Sequence, residues 1–447
     1  MATINAAVDG IILTADSSAT LSIQVGGSAA ISIGTGATTT ISNATITSLT
    51  ISNPSTFPAG SASAPAITTT GDTNTGIYFP AADQVAVTAG GSVAAAFNSN
   101  GLFFRNRIIN GDMRIDQRNA GASITLSTTT QYPVDRFASY KGTSSATLTA
   151  QQSSTAPTGF VNSIIYTVST GSAPAAGDIN AFWHPIEGTN MADFGWGAAG
   201  ALTVTMSFWV RASLTGTYSV SFQNNGSGGA GDRFYLATYT VNSANTWEYK
   251  TITVPGDTSG TWLTTTGKGM QITWDIGYGS NFNGTAGSWG SSTIRRTSGS
   301  VQLVANTGAT LYITGIQLET GSVATPFERR PYGTELMLCQ RYCVLIASGV
   351  NKPICNANYY SATNALGYIP FPVDMRTTPT LSATTGTNYY IMIANGGNDG
   401  LNSLTQDIRN ERGMVVYNNT EASGTAGHGG VFACADAAAK VLATAEL

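Results

Sequence analysis

Charged side chains are scarce in this chain: 447 residues hold 20 Lys and Arg and 24 Asp and Glu, a net charge of −4. Such a chain has no basic stripe to make an electrostatic footprint on nucleic acid, and no polybasic amphipathic helix for a membrane surface. Neither partner is expected. The start, "MATINAAVDGIILTADSS", lacks the basic n-region and long apolar core of a signal peptide, and no run of about 18 apolar residues could insert into a bilayer. Synthesis in a cytosol is expected. Cysteine is scarcer still: Cys339, Cys343, Cys355 and Cys434 are too few for a disulfide framework of this length. Free thiols are expected, because no Cys-x-x-Cys pair exists and His184 and His428 lie far from Cys339 and Cys343 in sequence. Long helical periodicity is also missing, which excludes bundles and α/β units.

What is abundant is Gly, with 51 residues, together with Ala, Ser and Thr. This is the composition of an all-β chain with many turns, long enough for several domains. Charge is unevenly spread. Residues 1 to 104 hold Asp9, Asp16, Asp72 and Asp83 and no Lys, Arg, Glu or His, so the remaining 20 acids balance all 20 bases.

Large aliphatics recur every tenth position, Ile11, Leu21, Ile31, Ile41 and Ile51, and "TISN" repeats at 40–43 and 50–53. Ten residues make one strand and one turn, and an even period keeps the column on one strand face. Residues 1–53 therefore predict stacked β-rungs. Each rung is too poor in apolar area to stand alone, so association of several chains around an axis is expected. Residues 54–104 follow as a Pro-rich linker and short strands, "GIYF" and "QVAVTA".

The first Arg residues arrive in "RNRIINGDMRIDQRNAG", which marks a boundary near 105. From there to 332 the runs "ALTVTMSFWVRAS", "TYSVSFQN", "RFYLATYTV", "TWEYKTITVPG", "GMQITWDIGYG", "SVQLVANTG" and "LYITGIQLETG" predict a jelly-roll β-sandwich. All seven tryptophans lie between 183 and 289, within it. Residues 333–447 predict a small terminal β-domain with strands "RYCVLIA", "ALGYIPFPVDM", "TPTLSAT", "NYYIMIA" and "GMVVYNN". By propensity "ADAAAKVLATAEL" would be helix.

Three phrases carry a family resemblance. "GDTNTGIYFPAADQVAVTAGG" resembles the short shaft modules of tailed-bacteriophage fibres, including those of phages that infect cyanobacteria. The order "INGDMRIDQRNAG", "YPVDRF", strands, "ITGIQLETGSVATPFERRPY" is similar to carbohydrate-binding-module-like sandwiches in phage fibres. "ELMLCQRYCV" and "FPVDMRTTPTLSA" resemble the joint and tip that follow them, and this favours a final strand at "KVLATAEL". The resemblance implies an elongated homotrimeric fibre, assembled in the host cytoplasm and carried on the virion. Its N-terminus would be held by a tail or baseplate protein and its tip would face host polysaccharide or lipopolysaccharide.

Candidate sites follow from residue chemistry. Aromatic rings stack on pyranose faces while polar groups read hydroxyls. In the sandwich, Trp262, Trp274, Tyr278, Phe282 and Trp289, with Asp275, are the sugar-binding candidates; Trp209 and Trp247 are assigned to the core. In the tip the candidates are Tyr359, Tyr360, Tyr389 and Tyr390, of which only one in each adjacent pair can face a given side. Asn110, Asp116 and Asp135 could line a Ca²⁺ site or cap a loop.

The charged stretch "FERRPYGTELMLCQRY" admits two readings. Glu328 and Glu335 could be a glycosidase pair, but Pro331 separates them and the nearby arginines would lower a carboxyl pKa. No Ser–His, Walker-type or G-x-S-x-G arrangement supports another chemistry, and "NNGSGGAGDR" reads as a hairpin loop. The preferred reading is a short helix from Thr334 and an inter-chain ionic joint of Glu328, Arg329, Arg330, Glu335 and Arg341. The alternatives to an adhesive fibre are a glycan depolymerase or esterase tailspike and a purely structural collar or baseplate fibre.

Overall fold

The structure is a computed structural model that describes residues 24–25, 28–29, 56–82, 84–97, 105–225, 231–395 and 397–447. The chain divides into two units, Met1–Thr56 and Phe57–Leu447. In the first, strands Gln24–Val25 and Ser28–Ala29 pair as an antiparallel hairpin. The rest of the ten-residue rung pattern lies outside the described residues.

The second unit is β-rich throughout, with antiparallel pairing in every sheet. It opens with a four-stranded meander, Ile67–Thr69, Asp72–Tyr78, Val85–Ala89 and Ser92–Phe97. Gly90 and Gly91 have φ of 57° and 78°, the left-handed backbone their turn requires. One face of this sheet buries Tyr78, Ala86 and Thr88, whose hydroxyl donates to the Ala62 carbonyl at 2.7 Å.

The sandwich follows. One sheet has the order Glu248–Val254, Val204–Ala212, Thr310–Thr320, Ser163–Thr170, Thr147–Ser153, Ile124–Thr125. The other has the order Trp289–Gly290, Phe234–Val241, Gly216–Asn224, Lys268–Asp275, Asn180–Glu187, Phe137–Lys141, Gln131–Val134. Period-two alternation sends Met206, Phe208 and Val210 of one sheet against Met270, Ile272 and Trp274 of the other. The rings of Phe182 and Trp274 stack at 4.9 Å with 2° between planes, and Phe208 meets Trp274 edge-on. The "SVQLVANTG" run is not a strand. Leu303–Ala305 forms a 3₁₀ turn that plugs the sandwich end, with Leu303 and Val304 buried and the Val304 amide donating to the Ile276 carbonyl.

A nine-residue helix, Tyr332–Gln340, leads into the C-terminal strands. There a three-stranded sheet orders Cys343–Ser348, Lys440–Thr444, Thr380–Ala383. A seven-stranded sheet orders Gly397–Leu401, Tyr390–Ala394, Gly429–Cys434, Lys352–Ser361, Asn364–Pro370, Gly413–Asn418, Thr405–Asn410. The terminal "KVLATAEL" is a strand despite its helix-forming residues. It pairs on both sides, and a ladder of that kind outweighs propensity. All four cysteines are free.

Candidate functional site

The outer face of the six-stranded sheet carries the site. On Val204–Ala212 the residues that alternate with the core are Ser207, Trp209 and Arg211, so Trp209 points away from the core and is half-buried. This corrects its assignment to the core, and Trp247 is likewise half-buried rather than core. Register sets Tyr249 directly opposite Trp209, with ring centroids 5.4 Å apart.

Beside them Phe160 and Phe327 meet edge-on at 5.2 Å, and the Arg329 guanidinium lies over the Phe160 ring at 4.8 Å. These groups, with Ser207 and Gly315, line an open groove of about 480 Å³. Gly315 makes the groove possible. It sits at a register shift with φ 62°, and a Cβ there would stand 2.6 Å from the Phe160 ring and 3.2 Å from Trp209. The band continues along the same face: Arg211 lies over the Tyr312 ring at 4.9 Å, and Trp247 packs against Tyr312 at 6.1 Å.

The other aromatic candidates fall elsewhere. Trp274, fully buried between Phe182 and Phe208, and Tyr278, 5% exposed against Phe282, are both buried and present no exposed ring to a ligand. Trp262 is buried in an edge-on cluster with Trp196 and Trp289, with Trp289 half-buried and its indole N–H donating to the Pro255 carbonyl. Phe282 is half-buried against Tyr278. Asp275 is not a surface reader of hydroxyls: it pairs with Arg296 at 3.1 Å and accepts from the Gly277 and Tyr278 amides, while burial pushes its pKa up to about 6. In the C-terminal sheets, Tyr359 is buried with its hydroxyl on Asp399, and Tyr390 is fully buried with its hydroxyl on the Thr384 carbonyl. Tyr360 is 72% exposed and Tyr389 half-buried, so each adjacent pair does split between two faces.

The loop acids cap backbone. Asp116 accepts from the Asn119 and Gly121 amides, Asn110 bridges the Ile115 backbone, and Asp135 takes the Gln117 amide and the Arg118 guanidinium. Among the described residues no group of three or more His, Cys, Asp or Glu could hold a metal ion.

Of the charged joint, Glu328, Arg330, Glu335 and Arg341 find partners within one chain, while Arg329 lies on the Phe160 and Phe327 rings. Arg330, 8% exposed, pairs with Glu328 at 3.2 Å and Glu335 at 3.4 Å and donates to the Ile108 carbonyl. Glu328 also accepts from the Asn106 amide, and Glu335 from the Asn110 amide. Arg341 forks onto Glu187 at 2.6 and 2.9 Å, and the Tyr342 hydroxyl donates to the same carboxylate. Burial raises the Glu187 pKa, yet these hydrogen bonds outweigh it and hold the group below its ordinary 4.5. Sequence reasoning missed Glu446, which pairs with Arg118 at 2.8 Å and with Arg136, itself lying 3.5 Å over the Tyr342 ring.

No family model matches the chain, and no curated protein matches it. Solved structures similar to part of it include the enzymatically active domain of bacteriophage CBA120 tailspike protein 4. That likeness has 13% identity and a TM-score of 0.26, over 48% of this chain and 21% of that one, so the chain spans about a fifth of the tailspike domain. A family 11 carbohydrate-binding module from Clostridium thermocellum, in complex with a β-1,3-1,4-mixed-linked tetrasaccharide, matches at 12% identity and TM-score 0.24 over 47% of this chain and 100% of the module. A CBM22-1 xylan-binding domain from Paenibacillus barcinonensis matches at 9% identity and TM-score 0.21, over 46% of this chain and 99% of that domain.

Proposed function

We propose that the chain is a virion fibre protein of a tailed bacteriophage that binds glycan on the host surface and cleaves no bond. The observation that carries the binding is the groove of Trp209, Tyr249, Phe160 and Phe327. Four aromatic side chains converge on one open concave face with a guanidinium and a hydroxyl among them, which is the chemistry that recognises a pyranose. Rings at a surface otherwise cost hydration, so a row of them facing outward marks a binding face.

The phage context is supported by the shaft-like and joint-like phrases of the sequence. In this reading the N-terminal residues attach to the tail or baseplate, the exposed Tyr360 of the tip adds a second contact, and three copies act together. Binding without cleavage is supported by the fate of Glu328 and Glu335. Both carboxylates converge on Arg330, and neither lines the groove.

The test is a glycan array read with the full chain and with Trp209→Ala. Loss of the wild-type hits in the variant, with an unchanged circular dichroism spectrum, is the expected result; hits retained in full would overturn the groove. New reducing ends released from a bound polysaccharide, and abolished by Glu328→Gln or Glu335→Gln, would overturn the adhesive role. Light scattering that returned a monomer at micromolar concentration would overturn the trimer.

A further inference from the structure

We infer that the groove selects acidic polysaccharide, a pyranose chain bearing ring carboxylates; this rests on the glycan-binding reading and deepens it. Among the described residues, nine of the fifteen arginines form an ion pair within the chain. Arg118, Arg136, Arg233, Arg296 and Arg330 each meet a carboxylate within the chain. The two arginines of the aromatic band differ. Arg329 is exposed and lies on Phe160 and Phe327, Arg211 lies on Tyr312 and donates to the Asn245 carbonyl, and neither has an acidic partner among the described residues.

The groove lining contains no Asp or Glu. The carboxylate of Glu319, whose charge is felt at Tyr249, is buried, and it accepts hydrogen bonds from Thr325 and Gln317. The face therefore presents positive charge against rings, in a protein of net charge −4. A guanidinium over a ring with no acidic partner keeps N–H donors for a ligand, in Arg211 those beyond the Nε–H given to Asn245, and a planar fork matches a carboxylate bidentately. Neutral sugar would use the rings and leave both forks in water. A uronate residue uses rings and fork together, and register places Arg211 two residues from Trp209 on the same strand face, about 6.6 Å along it.

The experiment uses the full chain and calorimetry with oligosaccharides of alginate, polygalacturonate and hyaluronate, each compared with its own carboxyl-reduced form. The expected result is that at least one acidic form binds at least tenfold more tightly than its reduced partner at 20 mM salt. The ratio should shrink toward unity at 1 M salt and in Arg329→Gln with Arg211→Gln, which remove both guanidinium charges and keep a polar side chain at each position. Equal binding of acidic and reduced forms, lost in Trp209→Ala, would overturn the charge selection and leave the glycan-binding reading standing. Binding of neither form of any of the three would overturn the acidic assignment, and hits for neutral glycans in the array would then show whether the groove binds sugar at all.

Discussion

Trp209 and Trp274 are the same residue on opposite sides of the same rule. In "TMSFWVRA" the apolar members are Met206, Phe208 and Val210, so Trp209 belongs to the alternate set with Ser207 and Arg211. In "MQITWD" Trp274 keeps step with Met270 and Ile272. The parity of Trp209 and Trp274 was thus readable from each strand, and residue type together with loop richness drew the buried Trp274 and Tyr278 into the candidate set. Trp274→Ala should cost about 3 to 5 kcal/mol of stability by leaving a cavity, read as a lowered urea midpoint. Trp209→Ala should leave that midpoint within about 1 kcal/mol and weaken glycan binding at least tenfold, about 1.4 kcal/mol. Two carboxylates should respond oppositely to pH. Glu187, held below its ordinary 4.5, stabilises the fold above that value and loses the contribution as pH falls, so Glu187→Gln should flatten the acid limb of the stability curve. Asp275, raised from 3.8 to about 6 chiefly by burial, favours the fold most below its unfolded value, and its contribution is lost as pH rises toward 6. Asp275→Asn should flatten the curve between about pH 4 and 6; urea midpoints from pH 3 to 7 check both signs.

At the scale of elements, the sandwich strands with clean alternation were legible, as was a short helix expected from Thr334, which begins two residues earlier at Tyr332 with Pro331 as its N-cap. Less was legible where the pattern is interrupted. Lys352–Ser361 carries Pro353 and two Asn, and Thr405–Asn410 exposes most of its length, so neither shows a hydrophobic period. Leu303–Ala305 is apolar because it plugs an end, which imitates a strand in sequence. The groove escaped notice for a different reason: Phe160, Gly315 and Phe327 come from three separate segments, and only the fold brings them together. Gly315→Ala should therefore act on binding more than on stability. The added methyl strains a left-handed backbone by roughly 1 kcal/mol and displaces Phe160, so glycan affinity should fall while the urea midpoint moves little. Arg330→Ala should do the reverse. It strands Glu328 and Glu335 without their shared cation and should cost about 3 to 5 kcal/mol in the same denaturation, with binding per folded molecule unchanged.

For the whole molecule, the proposed trimer changes what the groove has to achieve. A single open aromatic site supplies modest affinity, and three on one particle convert later contacts into intramolecular ones, raising avidity by roughly 10²- to 10⁴-fold when spacing permits. On a dense layer of the acidic polysaccharide, dissociation from the assembled protein should be slower by about that factor than from a variant that light scattering shows to be monomeric; surface plasmon resonance at two ligand densities checks it. Composition and turn spacing made the β-rich architecture legible at this scale. They could not show which charges close on their own chain, because Arg341 finds Glu187 across 154 positions.

The pairing of Glu446 with Arg118 and Arg136 has a consequence in time. Its partners are separated by 328 and 310 positions, so on the ribosome both arginines wait for more than 300 further residues before the clasp can close. The sandwich can complete its own ladders when strand Thr310–Thr320 emerges, well before that clasp exists. A contact so late in synthesis and so distant along the chain contributes little to the speed of folding and a good deal to the slowness of unfolding. The clasp should thus act as a kinetic seal, so that Glu446→Gln speeds unfolding more than it slows refolding in stopped-flow denaturation.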